Sequence, residues 1–409
     1  GNIDALTIDN DYYWLLGKYS VQSPYNGKKG YVNTSVPLYY LKWEKATTLN
    51  FGLDLGLFNN RVNFLVDYFI RDIYDKLADQ RIPISTGFSS VKINNGTLQN
   101  RGIEIEANFK VINTDDIKWN IGANFTRVRN FVKKLPDNGN DKNRIGGQEI
   151  WDPSDPTKTM YVGGRQQGER VGDDLVVGYQ DEGVYHNQAE LDPHKDRQIQ
   201  FYAGTIPTAN RKPMVGDTRW KDVNGDGIID SRDRVVLGRT TPDFIGGFTT
   251  DFTYKNINLF IKTDYAVGHL VHNSVRSRGI SQVQGNMNWT SEIKDTWTPE
   301  NPNADIPRYD FTDPRGNHKA ETKAGEEQFT ASSRYWEKGD YLALREITLS
   351  YNLPGAAVNN AFKDIRLFVS GTNLAYFTKY SGYSPEKGGW DNGRFPLPRS
   401  FTFGINATF

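Results

Sequence analysis

One polar segment of the sequence carries oxygen atoms at the spacing of a calcium-binding loop. Carboxylate or amide side chains stand at its first, third, fifth, ninth and twelfth positions, and Gly227 stands at the sixth. Ca²⁺ is held by several oxygen ligands in such a loop, and glycine permits the sharp turn between them. The predicted ligands are Asp222, Asn224, Asp226, Ile228 through its carbonyl oxygen, Asp230 and Asp233.

This candidate calcium loop departs from the EF-hand pattern in two ways. Asp233 replaces the usual bidentate glutamate, and no helix is predicted before Asp222, so a dockerin-like loop is the closer analogy. We expect a bound ion to stiffen the loop and not to catalyse a reaction. The alternative is an Asx-rich turn that binds no metal.

Two other pairs of residues could do chemistry. His269 and His272 are spaced for one face of a helical turn and could bind zinc, but no carboxylate stands in a suitable register, which favours a loop-surface role. Glu104 and Glu106 would share one strand face, as two glycosidase carboxylates might, but a charged channel lining explains them with fewer assumptions. Cysteine is absent, and neither a phosphate-binding glycine loop nor a nucleophile elbow occurs. We therefore predict no catalytic residues and no enzyme.

Six aromatic residues lie in long polar segments of the sequence. Aromatic rings stack on the apolar faces of sugars or fill the interface with a partner protein. Packing within the loops, or a place in the aromatic girdle of a membrane interface, is the alternative. The six candidates for substrate or partner contact are Trp289, Trp297, Trp336, Tyr380, Tyr383 and Trp390.

The elements that would position these residues are strands with one apolar and one polar face. In the last ten residues, Phe401, Phe403 and Ile405 alternate with small polar residues up to the terminal Phe409. A strand this amphipathic invites aggregation unless another strand covers its edge and lipid covers its apolar face. The same period of two predicts further strands within residues 43–77, 103–125, 244–265, 341–353 and 365–376.

The composition agrees with a β-rich protein that meets water on one strand face. Charged residues such as Asp54, Asp67 and Arg71 fall on the polar face, where burial without water would be costly. The 409 residues include 49 basic and 49 acidic side chains, so the balance gives no reason to expect nucleic acid. No apolar run approaches the length of a membrane-spanning helix, and no signal peptide is visible, so we expect a mature or internal piece of an exported protein.

Short turns and long loops alternate between the predicted strands. Such polarity is typical of an outer-membrane barrel, with long extracellular loops and a periplasmic carboxyl terminus, and a soluble sandwich does not require it. We therefore predict an all-β, transmembrane antiparallel barrel portion of about ten strands. Short turns are expected near Asn59, Asn113, Lys255 and 354–363; long loops at 78–97, 132–242 (with a short strand at 175–179), 267–336 (with a short helix near 289–297) and 377–399.

Several segments, in this order, resemble those of the SusC-like TonB-dependent outer-membrane transporters. No single segment is specific, but all of them in this order are highly specific, and the resemblance covers nearly the whole chain from residue 41 onward. The matching segments are Leu41–Lys45, Gly56–Arg61, Leu98–Glu104, Asp222–Gly227, Tyr341–Tyr351, Gly371–Leu374, Gly382–Glu386 and Pro396–Gly404.

The resemblance implies a barrel of about twenty-two strands, of which residues 41–409 would be the carboxy-terminal part. Residues 1–40 would be an extracellular loop or a strand remnant. The plug domain of the family, which fills the barrel and carries the segment that TonB grips, has no counterpart in the sequence. Phe409 would end the chain at the periplasmic rim and resembles the terminal signal for barrel assembly.

The resemblance further implies import of glycans or peptides across the outer membrane of a Gram-negative bacterium. The implied partners are a SusD-like surface lipoprotein, the amino-terminal plug and barrel part, TonB and outer-membrane lipid. Two alternatives remain open, a TonB-dependent siderophore receptor and a secreted β-rich carbohydrate-binding or glycoside hydrolase domain.

Overall fold

The structure is a computed structural model that describes residues 16–200, 211–281, 288–309, 315–318, 331–353, 362, 364–386, 388–393 and 395–408. Nine strands form one antiparallel sheet in which neighbours along the chain pair with each other. These barrel strands are β1 (Lys45–Leu57), β2 (Val62–Arg81), β3 (Ser90–Asn113), β4 (Ile117–Lys134), β5 (Phe244–Tyr254), β6 (Ile257–Val267), β7 (Tyr341–Leu353), β8 (Asp364–Thr378) and β9 (Ser400–Thr408). The prediction of an all-β barrel portion with about ten strands is confirmed. The terminal Phe409 lies outside the described residues.

One face of the sheet is apolar because side chains alternate along each strand. The side chains of Phe403 and Ile405 are 79% and 71% exposed, so the described chain leaves this outer face uncovered. An uncovered apolar face of this kind suits a lipid environment. One apolar row crosses six strands at neighbouring register positions: Trp119, Phe252, Leu259, Leu349, Val369 and Phe403.

The opposite, inner face of the sheet is polar. Asp67 of β2 stands opposite Glu104 of β3, and Lys262 of β6 stands opposite Glu346 of β7. These charges need water or close partners, since a dry interior would impose a large desolvation cost. The inner face is therefore suited to line an aqueous channel.

Two phenyl rings of the inner face lie directly over glycines of the next strand. A Cβ atom on Gly102 would collide with the ring of Phe69, and one on Gly404 would collide with the ring of Phe368. Aromatic cover of a strand glycine helps to fix the register of the pair. These contacts explain why glycine occupies two inner-face positions in otherwise regular strands.

The short turns expected near Asn59, Asn113 and Lys255 are confirmed, and the turn expected at 354–363 lies, apart from residue 362, outside the described residues. Asn59 and Asn60 adopt φ values of 58° and 60° between β1 and β2, and Lys255 adopts 49° between β5 and β6. Asparagine tolerates this left-handed region better than most residues.

Backbone hydrogen bonds also join three of the short turns in the described residues to the next hairpin. Three amides near the turns donate to carbonyl oxygens of neighbouring turns at 2.7 to 2.8 Å. The rim formed by the turns is thus linked beyond the strand ladders. The bonds are Lys110 to Arg61, Lys255 to Asp116 and Asn352 to Asn256.

The predicted loop at 78–97 is wrong for most of its length. β2 continues to Arg81 and β3 begins at Ser90, so residues 82–89 alone connect them, with the 3₁₀ helix Ile84–Thr86. Two register shifts between Ile73 and Leu77 break the alternation of side chains. Such bulges hide a strand from a search for strict period two.

The long connections at the other end of the sheet, residues 135–243, 268–340 and 379–399, are called the loop layer below. Its core contains Tyr179, Ile199, Trp220, Ile229 and Ala331. Its strands are Gln148–Asp152, Asp155–Val162, Leu175–Tyr179, Asp181–Val184, Gln198–Ile199, Thr218–Trp220, Ile228–Ile229, Arg234–Arg239, Leu270–Asn273, Trp336–Lys338 and Gly389–Asp391. Its helices are Gln188–Leu191 and Ser274–Ser281, with 3₁₀ turns at Asp141–Asn143, Asp192–His194, Ser231–Asp233, Ser291–Asp295 and Ser333–Tyr335.

The loop layer contains both local elements predicted from the sequence. The short strand at 175–179 is confirmed, and the helix expected near 289–297 is the 3₁₀ turn Ser291–Asp295. Among the described residues, no helix combines the length and apolarity needed to cross a membrane.

The described part of residues 1–40 contains a separate hairpin, Tyr19–Tyr25 with Lys28–Asn33. The chain after it is anchored to β3, because the amide of Lys42 donates to Asn94 Oδ1 at 2.7 Å and Asn94 Nδ2 donates back to the Lys42 carbonyl at 2.8 Å. The predicted boundary at residue 40 and the assignment of 1–40 as a loop or strand remnant stay predictions.

A charge on the outer face should destabilise the sheet far more than the same charge on the inner face. Phe403 lies five residues before Thr408, the end of β9. Along the membrane normal, a tilted strand rises about 13 Å over five residues. Phe403 is therefore near the middle of the apolar band of such a barrel, which is about 25 Å tall. We expect Phe403→Arg to lower the free energy of unfolding in lipid bilayers by about 2–4 kcal/mol.

The neighbouring change Thr402→Arg is the matched control, since Thr402 pairs with Ser370 on the inner face. We expect it to change the free energy of unfolding by less than about 1 kcal/mol. Equal losses for the two variants would contradict the assignment of the faces.

Candidate functional site

A small sheet in the loop layer brings two long loops together. Leu270–Asn273 pairs with Trp336–Lys338 on one side and with Gly389–Asp391 on the other. The ring of His272 lies 5.1 Å from the Trp336 ring and 4.8 Å from the Trp390 ring, measured between centroids. Two predicted contact residues, far apart in sequence, therefore pack around one histidine.

The expected surface role of the two histidines is wrong because both are buried. His269 Nε2 lies 2.9 Å from the Pro385 carbonyl oxygen, and His272 Nδ1 lies 3.0 Å from Ser274 Oγ. The helical spacing is also wrong, since His272 is part of a strand and His269 immediately precedes it. The described residues contain no group of three or more metal-binding side chains.

Tyr380 and Tyr383 are held by the same buried carboxylate. The hydroxyl of Tyr380 donates to Asp391 Oδ2 at 3.0 Å, and the backbone amide of Tyr383 donates to the same oxygen at 2.8 Å. Burial raises the pKa of Tyr380, and the adjacent Asp391 charge raises that pKa further. The Tyr380 hydroxyl is thus a neutral donor that fixes the loop, while the Tyr383 ring is 56% exposed.

Trp297 and Trp289 have different surroundings. The Trp297 indole lies over Gly216 and donates to the His186 carbonyl at 3.3 Å, which fastens two parts of the loop layer together. Trp289 packs beside Tyr309 at 5.3 Å between centroids and remains 43% exposed. Trp390 is also substantially exposed, so Trp289, Tyr383 and Trp390 can meet a ligand or partner without unfolding the layer.

A cavity of 670 Å³, called the loop pocket below, is lined by Tyr383 and by Thr290, which follows Trp289. Glu337 anchors one wall, because Oε2 accepts from the Ser381 amide at 2.8 Å and Oε1 accepts from Asn273 Nδ2 at 3.1 Å. Such a pocket offers donors, acceptors and a ring within one ligand-sized space. It is lined by Asn273, Val275, Arg276, Thr290, Glu292, Glu337, Ser381, Gly382 and Tyr383.

Arg276 gives the loop pocket a cation that is already paired. Its guanidinium donates to Glu292 Oε1, with Nε at 2.9 Å and Nη2 at 2.6 Å. The hydrogen bonds to Glu292 raise the pKa of Arg276 despite its burial. The pocket therefore offers fixed charges, a serine hydroxyl that donates to Glu337 Oε1 at 2.8 Å and a tyrosine ring, an arrangement that suits binding.

The candidate calcium loop is folded by its own side chains. Asp222 accepts hydrogen bonds from the amides of Gly225 and Gly227 at 2.8 and 3.0 Å, and Asp226 accepts from the Ile228 amide at 2.7 Å. These contacts are the ladder expected of an Asx-rich turn. Asn224 Nδ2 also donates to Asp226 at 2.9 Å.

The last two predicted ligands cap the 3₁₀ turn Ser231–Asp233. Asp230 accepts from the Arg232 amide at 2.7 Å, and the buried Asp233 accepts from the Val223 and Asp230 amides at 2.9 and 2.8 Å. Burial raises the pKa of Asp233 to about 6, and the Asp230 charge contributes in the same direction. The donor types suit Ca²⁺, but the described carboxylates are engaged with amides and do not converge as a cluster. Calcium binding stays a prediction.

Arg345 forms a clamp between the barrel strands and the loop layer that the sequence did not reveal. Relative to β6, Arg345 is an extra residue in β7, because Lys262 pairs with Glu346 and the next residue of β6 pairs with Leu344. Its guanidinium donates to Asp264 of β6, with Nη2 to Oδ2 at 2.8 Å, to the Tyr376 hydroxyl at 2.9 Å, and to Glu386 of the β8–β9 connection. Two segments that carried the family resemblance, Tyr341–Tyr351 and Gly382–Glu386, thus meet in one ion-pair network.

The glutamate pair Glu104 and Glu106 lies on the inner face, opposite Thr126 and Asn124 of β4. Glu106 accepts a hydrogen bond from Asn108 Nδ2 at 2.8 Å on the same strand. This placement agrees with a charged channel lining.

The chain is similar to known proteins of one family. Residues 7–159 match the family model for the TonB dependent receptor-like β-barrel. TonB-dependent receptor P3 of Formosa agariphila is 31% identical over 390 residues, which cover 90% of this chain and 34% of that protein. TonB-dependent receptor SusC of Bacteroides thetaiotaomicron is 27% identical over 389 residues, which cover 93% of this chain and 34% of SusC.

The fold has a counterpart among solved structures. The RagAB peptide importer in its open-open state aligns with a TM-score of 0.67 and 22% identity, covering 98% of this chain and 38% of that chain. At this identity the similarity shows the fold alone. The chain spans about a third of the length of the curated relatives it matches.

Calcium should stabilise the purified protein if the candidate loop binds it. We expect a rise in melting temperature on adding Ca²⁺, larger at neutral pH than at about pH 5, because Asp233 must lose its proton before it can act as a ligand. Asp226→Asn should abolish the rise, while Asp115→Asn, on the exposed β3–β4 turn, should retain it. No heat in calorimetry and an unchanged melting temperature would establish the metal-free turn instead.

Removal of the Arg345 clamp should loosen residues 379–399 without unfolding the barrel. We expect Arg345→Met to lower the opening free energy of this segment by about 2 kcal/mol, since charge-assisted hydrogen bonds to two carboxylates are lost. Hydrogen–deuterium exchange of peptides from this segment measures the effect. Arg366→Met, near the opposite end of β8, is the control, and identical exchange in both variants would show that Glu386 is held by other contacts.

Proposed function

Because this chain is a barrel segment of the SusC-like TonB-dependent receptors, we propose that it serves nutrient import across the outer membrane of a Gram-negative bacterium. The observation that carries the proposal is the two-faced sheet: an apolar outer face across nine strands and a charged inner face behind it. A wall of this kind separates lipid from a water-filled passage. The two-faced sheet disfavours the alternative of a secreted carbohydrate-binding or hydrolase domain.

The chain would work as one part of a larger assembly. The proposed partners are the plug and remaining barrel part of the same transporter, TonB acting through that part, and a SusD-like surface lipoprotein above the loop layer. SusC and RagAB, to which this chain is similar, are described as a TonB-dependent receptor and a peptide importer. In this proposal the chain is not an enzyme, because the proteins it is similar to are named as receptors and as a peptide importer.

Substrate or partner contact is proposed at the exposed aromatics around the loop pocket. Tyr383 lines the pocket itself, and Trp289 precedes Thr290, another lining residue. Rings beside hydrogen-bonding groups suit both sugars and peptides. Glycan and peptide therefore both remain candidate cargo, and the siderophore receptor remains the second function.

The Ca²⁺ proposed for residues Asp222 to Asp233 has a structural part in this function. The loop belongs to the connection between β4 and β5, so an ion there would stiffen one wall of the extracellular layer. No step of transport depends on it.

Affinity purification of the full-length transporter from its native host tests the function. We expect a SusD-like lipoprotein to copurify and growth on a glycan or peptide nutrient to require the transporter. A siderophore receptor would instead purify without the lipoprotein and support growth only under iron limitation.

One tyrosine variant and one tryptophan variant locate the substrate or lipoprotein contact in the same experiment. Tyr383→Ala removes an exposed ring and should weaken substrate uptake or lipoprotein binding about fivefold, with an unchanged melting temperature. Trp297→Ala should instead lower the melting temperature, because it opens the contact over Gly216. Unchanged uptake and lipoprotein binding in Tyr383→Ala would remove the loop pocket from the proposal.

A further inference from the structure

A second cavity lies where β2, β3 and β4 extend towards the loop layer. Asp79 of β2 stands opposite Lys92 of β3, and Lys134 of β4 stands opposite Thr97 of β3. Lys92 and Thr97 lie five residues apart on β3, so the two pairs stand about 16 Å apart along the strands. The cavity is distinct from the loop pocket and shares none of its residues.

The beginning of the β4–β5 connection closes this cavity, which is called the basic cleft below. Residues 138–147 form a turn held by Asn138 and Asn140, whose side-chain amides both donate to the Arg144 carbonyl. The guanidinium of Arg144 lies over the Tyr161 ring, 3.3 Å from its centroid. The enclosed volume is 660 Å³, within the usual range of ligand sites of about 300–1,000 Å³.

The charge of the basic cleft is strongly one-sided. Its lining has one acidic residue, Asp79, against six basic residues: Lys76, Arg81, Lys92, Lys134, Arg144 and Arg165. The whole chain, in contrast, has equal numbers of basic and acidic side chains. A concave site lined by one sign of charge concentrates ligands of the opposite sign.

Ion pairs neutralise only part of this charge. Lys92 lies 3.3 Å from Asp79, Lys76 lies 3.5 Å from Glu44, and Arg165 lies 2.8 Å from Asp173. Arg81 and Lys134 form no ion pair with any described residue, and Arg144 meets a ring in place of a carboxylate. About three positive charges are therefore left for a ligand, from β2, β4 and the covering loop.

We propose that the basic cleft binds anionic cargo, an oligomer that carries carboxylate or sulfate groups. This inference rests on the proposed import function and names the class of substrate that the transporter prefers. Arginine and lysine bind carboxylate and sulfate through charge-assisted hydrogen bonds, and the Tyr161 ring adds an apolar surface.

Binding of a uronic acid oligomer to the full-length transporter tests the proposal. The probe is an oligogalacturonate, and the fully methyl-esterified oligomer of the same length is its neutral counterpart. We expect tighter binding of the acid than of the ester, with an affinity that falls as salt rises, because the attraction is screened. Equal affinity for acid and ester would overturn the proposal.

Charge reversal in the cleft locates the binding. Lys134→Glu should weaken oligogalacturonate binding about tenfold, and Lys134→Gln should weaken it less. The control is Lys158→Glu on the exposed strand Asp155–Val162, which should leave the binding unchanged. A shift in gel mobility only after boiling confirms that each variant barrel is folded. Equal affinity of the folded Lys134 variants and the wild type would place the anion elsewhere and contradict the cleft.

An oligoglutamate of matched charge distinguishes the two sources of the anion. Binding of either oligomer that is sensitive to Lys134→Glu supports the proposal, and the tighter oligomer indicates an acidic glycan or an acidic peptide. Failure of both oligomers, when the lipoprotein copurifies and growth requires the transporter, overturns the basic cleft alone. Failure of the copurification and growth experiments refutes the import function whatever the cleft binds.

Discussion

Within a lipid layer, no water is present to pair the backbone amides and carbonyls of a strand. Each strand must therefore find both partners in its neighbours, which favours a continuous antiparallel sheet. The nine barrel strands meet this constraint by pairing in chain order. Successive side chains of a paired strand point to opposite faces of the sheet. One set of side chains can therefore contact lipid while the other contacts water, and apolar and polar residues alternate along the sequence. The polar loop layer is possible only because this scaffold holds its ends.

The loop layer is ordered by contacts between distant segments more than by its own secondary structure. The strand pairing of Leu270–Asn273 with Gly389–Asp391 and the shared carboxylate of Asp391 hold two loops together. Arg345 connects this layer to the wall through an extra residue in β7. A bulge at this point redirects the long arginine side chain, so its guanidinium reaches both a strand and a loop. The two cavities differ in charge because each is formed by a different set of these loops.

The barrel could be predicted from the sequence because its side-chain alternation is local. Phe403 and Asp67 were assigned to the correct kinds of face without any knowledge of their partners, since two-residue periodicity fixes the face. The extensions of β2 and β3 were missed because the shifts after Ile73 break that period. The burial of His269 and His272 was missed for another reason: their surroundings come from Trp336, Trp390 and Pro385, and nothing in the local sequence specifies these contacts. Likewise, the basic residues of the cleft are spread over about ninety positions, and only the register brings them together.

The hydrogen bonds that join the short turns have a mechanical consequence. Lys255 bonds to Asp116 of the preceding hairpin, and Asn352 bonds to Asn256 of the hairpin before it. A hairpin pulled inward at this rim cannot peel away one bond at a time, because its turn is tied to a neighbour that is itself tied. A force on one turn is instead distributed to the neighbouring hairpins through these hydrogen bonds. Among the described strands, a pull on one turn is thus passed to the neighbouring hairpin as well as to its own strands.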